Sequence, residues 1–356
     1  MKVLFLSNGY GEDTIASYII KSFPTDFLRN ISVFPLVTEG NVFVDEGIGI
    51  EGPVRVFPSR GISGFLNLRN FIKDLQEGLV FHIWEQIKYL NNLDSSTYFV
   101  AVGDIYPLIL LYFSKRIHRT FFVATAKSVK TEYFNPFEIF LMKKVIANFV
   151  RDQPTMDWIL RHYGLGNVYF LGNPVLDIPL YSFDSFDNLD RNIIFLPGRV
   201  DQALKNLVTF LPAMKKLVVN GFSFTIVIPK FYPVNEIYSL VNGIDRIFII
   251  DSIYYRFFLE RSFLVWGFGG SANEQAAGFG LPVISLSENT WYRKRQKKLL
   301  GDSLILVKTV DDFISKTLEL EKNVNYYNYL RNVGKQQMGD LGGALNISRF
   351  IIQKIL

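Results

Sequence analysis

Short apolar runs that do not alternate, each ending in glycine or polar residues, recur along the chain, with helically spaced segments between them. Such a run suits a parallel strand covered on both faces. In the first half the pattern predicts strands at 3–6, 31–35, 54–57, 98–102, 120–124 and 168–171. Helical spacing predicts helices from the first glycine loop to about Lys21 and at 65–79, 80–93, 106–114, 136–146 and 155–162. The stretch Gly172 to Pro179 and the Ser/Asp/Asn-rich run to Arg191 break the rhythm and read as a linker. Beyond it, strands at 192–196, 224–228, 246–250, 263–266, 283–286 and 304–307 alternate with helices at 202–219, 234–241, 253–259, 272–279, 292–300 and 310–320. Residues 347–356 read as a last helix. The expectation is an α/β protein with two Rossmann-like parallel-sheet domains facing a cleft. The domains run over 1–175 and 190–340, and residues 341–356 form a helix packing back on the first domain.

Residues 263–286 read as strand, glycine turn, helix, strand. Gly267, Gly269 and Gly270 remove side chains where the backbone must turn and where a ligand can approach it. Ser271 or Asn273 can cap the helix, Glu274 and Gln275 fall in its first turn, and Gly280 with Pro282 ends it. A helix N-terminus behind such a turn offers N–H groups and the positive end of a dipole, which suits a phosphate. An ordinary βα turn needs the same glycines, and the spacing is neither a Walker loop nor a GxGxxG fingerprint. The opening repeats the arrangement: strand 3–6 enters Ser7-Asn-Gly-Tyr-Gly-Glu-Asp13, a loop carrying Asn8, Gly9 and Gly11, with Asp13 a candidate cap.

Composition narrows the field. A chain of 356 residues has room for two domains. It is 49% hydrophobic with mean hydropathy +0.18, yet no apolar run reaches the ~18–20 residues of a membrane span. The greasiest stretch, 98–113, is broken by Asp104 and Pro107, and four apolar residues after Lys2 make no secretory signal. These features predict a cytoplasmic protein. The absence of cysteine excludes disulfides and thiolate metal sites, and His82, His118 and His162 lack zinc-ligand spacing. A net charge of +5 favours phosphorylated substrates or an anionic membrane surface. No basic stripe interleaved with aromatics predicts nucleic-acid binding.

Five segments, in order, carry a resemblance: Asn8-Gly-Tyr-Gly-Glu-Asp13, Gly103-Asp-Ile-Tyr-Pro107, Leu171-Gly-Asn-Pro-Val-Leu-Asp177, Leu196-Pro-Gly-Arg199 and Gly269-Gly-Ser-Ala-Asn-Glu-Gln275. Together they resemble GT-B glycosyltransferases, and more narrowly lipid-A-disaccharide synthase and its relatives. The chain departs from that pattern in lacking Ser-Gly before the opening Asp and in placing Arg199 directly after Gly198. It also puts one extra residue between Glu274 and Pro282, so Gln275 can stand where the family has its Glu. The resemblance implies a divergent relative with an acceptor of its own.

It also implies metal-independent inverting transfer from a nucleotide-sugar, UDP-linked, to a lipid or glycolipid at a membrane surface, without a cofactor. Such chemistry needs a base for the acceptor hydroxyl and groups that hold the leaving diphosphate. Asp104, at the end of strand 98–102, matches the family's catalytic Asp; capping the following helix is its structural alternative, and Glu12 is the rival base. For the donor the candidates are Arg199, Gly269, Gly270, Ser271, Asn273, Glu274, Gln275 and Gln296, with Lys230 and Asp251-Ser252 weaker. Asp311-Asp312 reads as a helix cap, and no metal-binding acidic pair stands at a strand end. Residues 64–73 and the aromatic and basic segment 133–144 are candidates for a membrane surface and a lipid acceptor, with core-facing helices as the alternative. Two rival functions share the architecture: a UDP-sugar 2-epimerase, and a non-catalytic nucleotide-binding or membrane-surface protein.

Overall fold

The computed structural model describes residues 2–56, 78–183, 189–229, 232–288 and 290–356. They form two compact units, Met1–Asp177 with Leu341–Leu356, and Ile178–Asp340. The expected helix over 65–79 falls almost wholly outside the described residues, as do segment 64–73 and Lys230.

The first unit is built on β1 (Val3–Ser7), β2 (Ile31–Pro35), β3 (Tyr98–Val102), β4 (Thr120–Ala124), β5 (Ala147–Val150) and β6 (Val168–Tyr169). All pair in parallel, in the order β2-β1-β3-β4-β5-β6, with Val3 level with both Ile31 and Tyr98. Every residue of β1 is buried, which is why its run is apolar without alternation. The second unit is built on β7 (Asn192–Leu196), β8 (Ser223–Ile228), β9 (Ile247–Asp251), β10 (Leu264–Gly267), β11 (Val283–Leu286) and β12 (Leu304–Val307). Its order, β12-β11-β10-β7-β8-β9, is that of a Rossmann sheet. The expected α/β class with two Rossmann-like parallel sheets is what the chain adopts.

In each sheet the chain builds outward on one side of its first strand, then returns to the other side. Strand order therefore reverses between β1 and β3, and between β7 and β10. The connections leaving such a pair diverge to opposite faces and leave a crevice at the carboxyl ends, where open α/β sheets bind ligands.

The second core holds this edge firmly. Trp266 on β10 is fully buried among Phe210, Phe224 and Phe313, and its Nε1–H donates to Thr317 Oγ1 at 3.1 Å. The C-terminal helix Gly343–Ile355 belongs to the first unit. Asp177 accepts from Gly342 and Ala344 N–H at 2.6 Å each, and Phe350 packs edge-on to Phe149.

Several elements depart from expectation. Residues 54–56 form no strand: the only bridge there joins Ile50 to Val33, and Pro53 has no N–H to extend a ladder. The helix expected at 136–146 stops at Met142, and the four buried residues Ala147–Val150, for which no element was expected, form β5. A helix at Val324–Met338 lies where none was predicted; a Cβ on its Gly334 would come 2.4 Å from the Ala277 carbonyl, so the glycine permits close packing on helix Ser271–Gly278. No helix among the described residues is long and apolar enough to cross a membrane.

Candidate functional site

The crevice of the first unit is lined by the ends of β1 and β3. The loop after β1 is only Asn8 and Gly9, because the helix Tyr10–Lys21 starts at once. Gly11 therefore sits in that helix's first turn, exposed and with open space around it, rather than in a ligand loop. Asp13 is not a cap either: it is buried inside the helix and takes hydrogen bonds from Ser7 and Thr38 hydroxyls. Burial outweighs those bonds and raises its pKa to about 6.

Asp104 and Asn8 meet here although 96 positions separate them. Asn8 Nδ2 donates to Asp104 Oδ1 at 2.6 Å, and the same oxygen accepts Tyr106 N–H at 2.8 Å. The second bond steadies the helix start from outside it, since the N-cap of helix Tyr106–Phe113 is Ile105 and not Asp104, and it leaves Asp104 half-buried at the strand end. Burial raises the Asp104 pKa; the bonds from Tyr106 and Asn8 and the charge of Lys127 work against that, while Glu138 adds to it. Asn8 itself is 6% exposed, and its buried Oδ1 has no hydrogen-bond partner among the described residues. An orphaned acceptor beside a carboxyl of raised pKa suits an incoming hydroxyl donor.

Glu12 folds over the same spot. A Cβ on Gly103 (φ +128°) would stand 2.9 Å from Glu12 Cγ, and one on Gly9 (φ +150°) 2.6 Å from Glu12 Oε2. Both glycines are needed for this close packing and for their backbone angles. Thus Asn8, Gly9, Glu12 and Asp104 come together. Sequence reasoning missed the pair behind them: Lys127, after β4, donates to Glu138 at 2.8 and 3.0 Å. Glu138 also completes the capping box of helix Pro136–Met142 with Asn135, a pattern readable as Asn-x-x-Glu.

In the second unit Leu196 of β7 lies level with Gly267 of β10, and Gly198 (φ +90°) packs against Phe268. The bend Gly267–Gly270 is held from behind. Ser285 Oγ donates to Gly267 O at 2.5 Å, and Gln296 Nε2 donates to Gly269 O at 3.1 Å and Gly270 O at 3.2 Å. Gln296 Oε1 accepts from Arg293 at 2.6 Å and Asn273 at 3.3 Å. Gln296 is 1% exposed with all four hydrogen-bonding positions engaged, so it braces the bend and does not reach towards a sugar.

Neither Ser271 nor Asn273 caps the helix Ser271–Gly278; its N-cap is Gly270, and Asn273 is tied to Gly267 O and Gln296. Thr309, with Asp312 completing a capping box, caps the late helix Val310–Lys322. With the bend's carbonyls taken, the N–H groups of Gly269, Gly270, Ser271 and Ala272 make no hydrogen bond among the described residues. They point the positive end of a helix at one place. The Tyr292 hydroxyl joins them: a Cβ on Gly270 would lie 2.2 Å from it, and it too makes no hydrogen bond among the described residues. Burial, then Glu274, pushes the Tyr292 pKa up to about 12, so it remains a donor at neutral pH. Glu274 and Gln275 are buried, with Glu274 3.8 Å from Arg295. Arg199 is exposed at the start of helix Val200–Val219 and pairs with Asp201 at 3.2 Å.

No family model matches the chain. A Thermotoga maritima protein named as a UDP-N-acetylglucosamine 2-epimerase is 27% identical over 154 residues, 37% of this chain. The chain spans 40% of the length of that curated relative. The UDP-GlcNAc 2-epimerase of Neisseria meningitidis, solved bound to UDP-GlcNAc, superposes with TM-score 0.56 at 15% identity, covering 100% of this chain and 99% of that one. MurG of Acinetobacter baumannii gives TM-score 0.55 at 10% identity, covering 99% of this chain and 100% of its own. The chain has the GT-B fold. The narrower resemblance to lipid-A-disaccharide synthase finds no counterpart among these proteins. At such identities the likeness concerns the fold alone.

Proposed function

We propose that this protein is a nucleotide-sugar-dependent glycosyltransferase that uses a UDP-linked donor and a lipid or glycolipid acceptor at a membrane surface. The observation that carries the reading is Asp104 with its pKa raised by burial, set beside the orphaned carbonyl of Asn8. Asn8 Oδ1 receives and orients the acceptor O–H, and Asp104 takes its proton. The freed oxygen forms a bond to the sugar's anomeric carbon as the bond from that carbon to the diphosphate breaks, and UDP leaves with the electron pair. The N–H groups of Gly269 to Ala272, with the Tyr292 hydroxyl, bind the diphosphate as charge grows on it. Arg199 supplies a positive charge from the neighbouring loop once freed from Asp201, and Glu274 or Gln275 meets the ribose. Glu12 positions the acceptor loop or replaces Asp104 as base.

A second reading, a UDP-sugar 2-epimerase, is favoured by the name of the Thermotoga relative and the Neisseria structure. The chain's histidines speak for transfer instead. His82 is buried against Gln86, His162 stacks on Trp158, and His118 precedes β4 at the end of that strand away from the crevice, so none is placed for proton transfer at a sugar. One experiment separates the two: incubate the protein with UDP-GlcNAc, with and without a crude glycolipid extract, and follow the mixture by phosphorus and proton NMR. Transfer releases UDP only when the extract is present. Epimerisation produces a second UDP-sugar with no extract and no free UDP. No change, with no thermal stabilisation by UDP, sinks both.

A further inference from the structure

On the helical face of the first sheet, four aromatic rings join into one exposed patch. Helix Tyr106–Phe113 ends in Tyr112 and Phe113, whose rings lie 5.7 Å apart, and Tyr112 lies 5.7 Å from Phe140 of helix Pro136–Met142. Phe140 continues to Phe137 at 6.4 Å. Phe113, Phe137 and Phe140 are 59%, 49% and 42% exposed, while Ile139, Leu141 and Met142 of the same helix are buried. The helix therefore uses its aliphatic side for the core and leaves its phenylalanines in water. Scattered exposed aromatics need no explanation, but a connected set does.

Lysines neighbour the rings along the chain. Lys144 lies over Phe140 at 4.6 Å and over Tyr112 at 6.0 Å, exposed Lys143 precedes it, and exposed Lys115 stands two positions after Phe113. Among the described residues, Lys115 is one of two non-glycine residues with positive φ, at 58°. It ends a helix in the left-handed conformation that glycine adopts at less cost, so a lysine there is kept against backbone preference. Its neighbour Arg116 donates to Leu90 and Asn91 carbonyls, anchoring the corner. Strain held at an exposed cation points to a use for that cation.

We propose that Phe113, Phe137 and Phe140 insert into the interface of an anionic lipid membrane, with Lys115, Lys143 and Lys144 at the headgroups. Aromatic rings with a polar or charged neighbour favour the headgroup boundary, and lysines add attraction to anionic lipid. The inference gives the lipid-acceptor reading its surface, but it stands on this patch and is measured without turnover.

The test is co-sedimentation of the full chain with phosphatidylcholine vesicles, plain or containing about 30% phosphatidylglycerol. The wild-type protein pellets with the anionic vesicles and stays in solution with the neutral ones. Phe137→Ser with Lys143→Glu, both at exposed positions, abolishes pelleting and leaves the melting temperature in place. Lys115→Gly weakens association roughly fivefold, the share of one lysine, while the melting temperature holds or rises because the corner is relaxed. A wild-type protein that ignores anionic vesicles overturns the proposal, as do variants that bind equally. So does a wild-type dimer in light scattering that Phe137→Ser dissolves, since the patch would then join two copies. Vesicle binding without any sugar chemistry keeps this inference and removes the transferase reading.

Discussion

Adding one methyl group at Gly270 tests whether the glycine bend is kept open for a ligand. A Cβ there lies 2.2 Å from the Tyr292 hydroxyl oxygen and 3.4 Å from the ring carbon that bears it. The second distance is ordinary contact and the first is impossible, so the hydroxyl alone must move, by roughly 1 Å. Helix Trp291–Leu300 is tied to the bend through Gln296, so the ring has little room to withdraw. Gly270→Ala should therefore cost about 1–3 kcal/mol, the range for overpacking. Tyr292→Phe removes a hydroxyl that makes no bond among the described residues and should leave stability nearly unchanged. In the double variant the alanine meets only the ring, and the cost should largely vanish, a coupling of about 1–2 kcal/mol. Urea unfolding, read by circular dichroism, measures this cycle. Calorimetric titration with UDP measures the functional half: Tyr292→Phe loses one donor to the phosphates, about 1 kcal/mol or roughly fivefold in Kd. Equal destabilisation of the single and double alanine variants would refute the geometry. UDP binding untouched by either substitution would refute the phosphate assignment.

Other consequences follow from single side chains. Asp104→Asn should keep UDP binding and lower turnover at least ~100-fold, read as UDP release under saturating donor; unchanged turnover moves the base to Glu12. Gln296→Leu strands the Gly269 and Gly270 carbonyls and should cost about 2–4 kcal/mol while weakening UDP binding; full retention of both in melting and titration would show that the brace is dispensable. Asp13 controls a pH effect. Its pKa in the folded chain, about 6, lies above the ordinary 3.8, so the folded state holds its proton more tightly. That contribution is fully present below about pH 4 and is lost as pH rises through about 6, some 3 kcal/mol in all. Asp13→Asn should flatten this slope in urea melts taken from pH 4.5 to 7.5, and identical slopes would mean the carboxyl titrates normally.

The fold was legible because its strands are covered on both faces and their connections stop at glycines. An apolar run between glycine turns admits few alternatives, and eleven of the twelve strands among the described residues lie within two residues of where the pattern puts them. The failures have a common cause. β5 was given no element because its four buried residues, Asn148 among them, follow directly on a predicted helix and carry no period of their own. Helix Val324–Met338 was passed over because Gly334 and its tyrosines obscure the apolar stripe, and the reason for that glycine is a backbone 57 positions away. For the candidate site, the sequence marked turns that do lie at the carboxyl ends of β1, β3, β7 and β10, and misjudged which side chains are locked behind them. Gln296 and Tyr292 stand on one helix, four positions apart; one is locked behind the bend and the other lies against it. Nothing in the spacing separates them, because the deciding partners are the carbonyls of Gly269 and Gly270.

The two switch points divide their polar groups in opposite ways. After β1 and β3 the space beside the glycines is filled by Glu12, Asn8 and Asp104, so that edge carries carboxylates and one orphaned acceptor. After β7 and β10 the space beside the glycines is taken by Asn273 and the Tyr292 hydroxyl, the carbonyls are bonded from behind, and the N–H groups of Gly269 to Ala272 make no hydrogen bond among the described residues. One edge can accept a proton and the other can stabilise negative charge. Moving a sugar from a diphosphate to a hydroxyl requires both. If either edge had the other's polarity, one of the two tasks would have no residue to perform it. Reversing the first edge alone, with Asn8→Lys, places a cation on Asp104, lowers its pKa, and removes the orphaned acceptor. Turnover should fall with UDP affinity intact; an enzyme indifferent to that change would not be using this edge as a base.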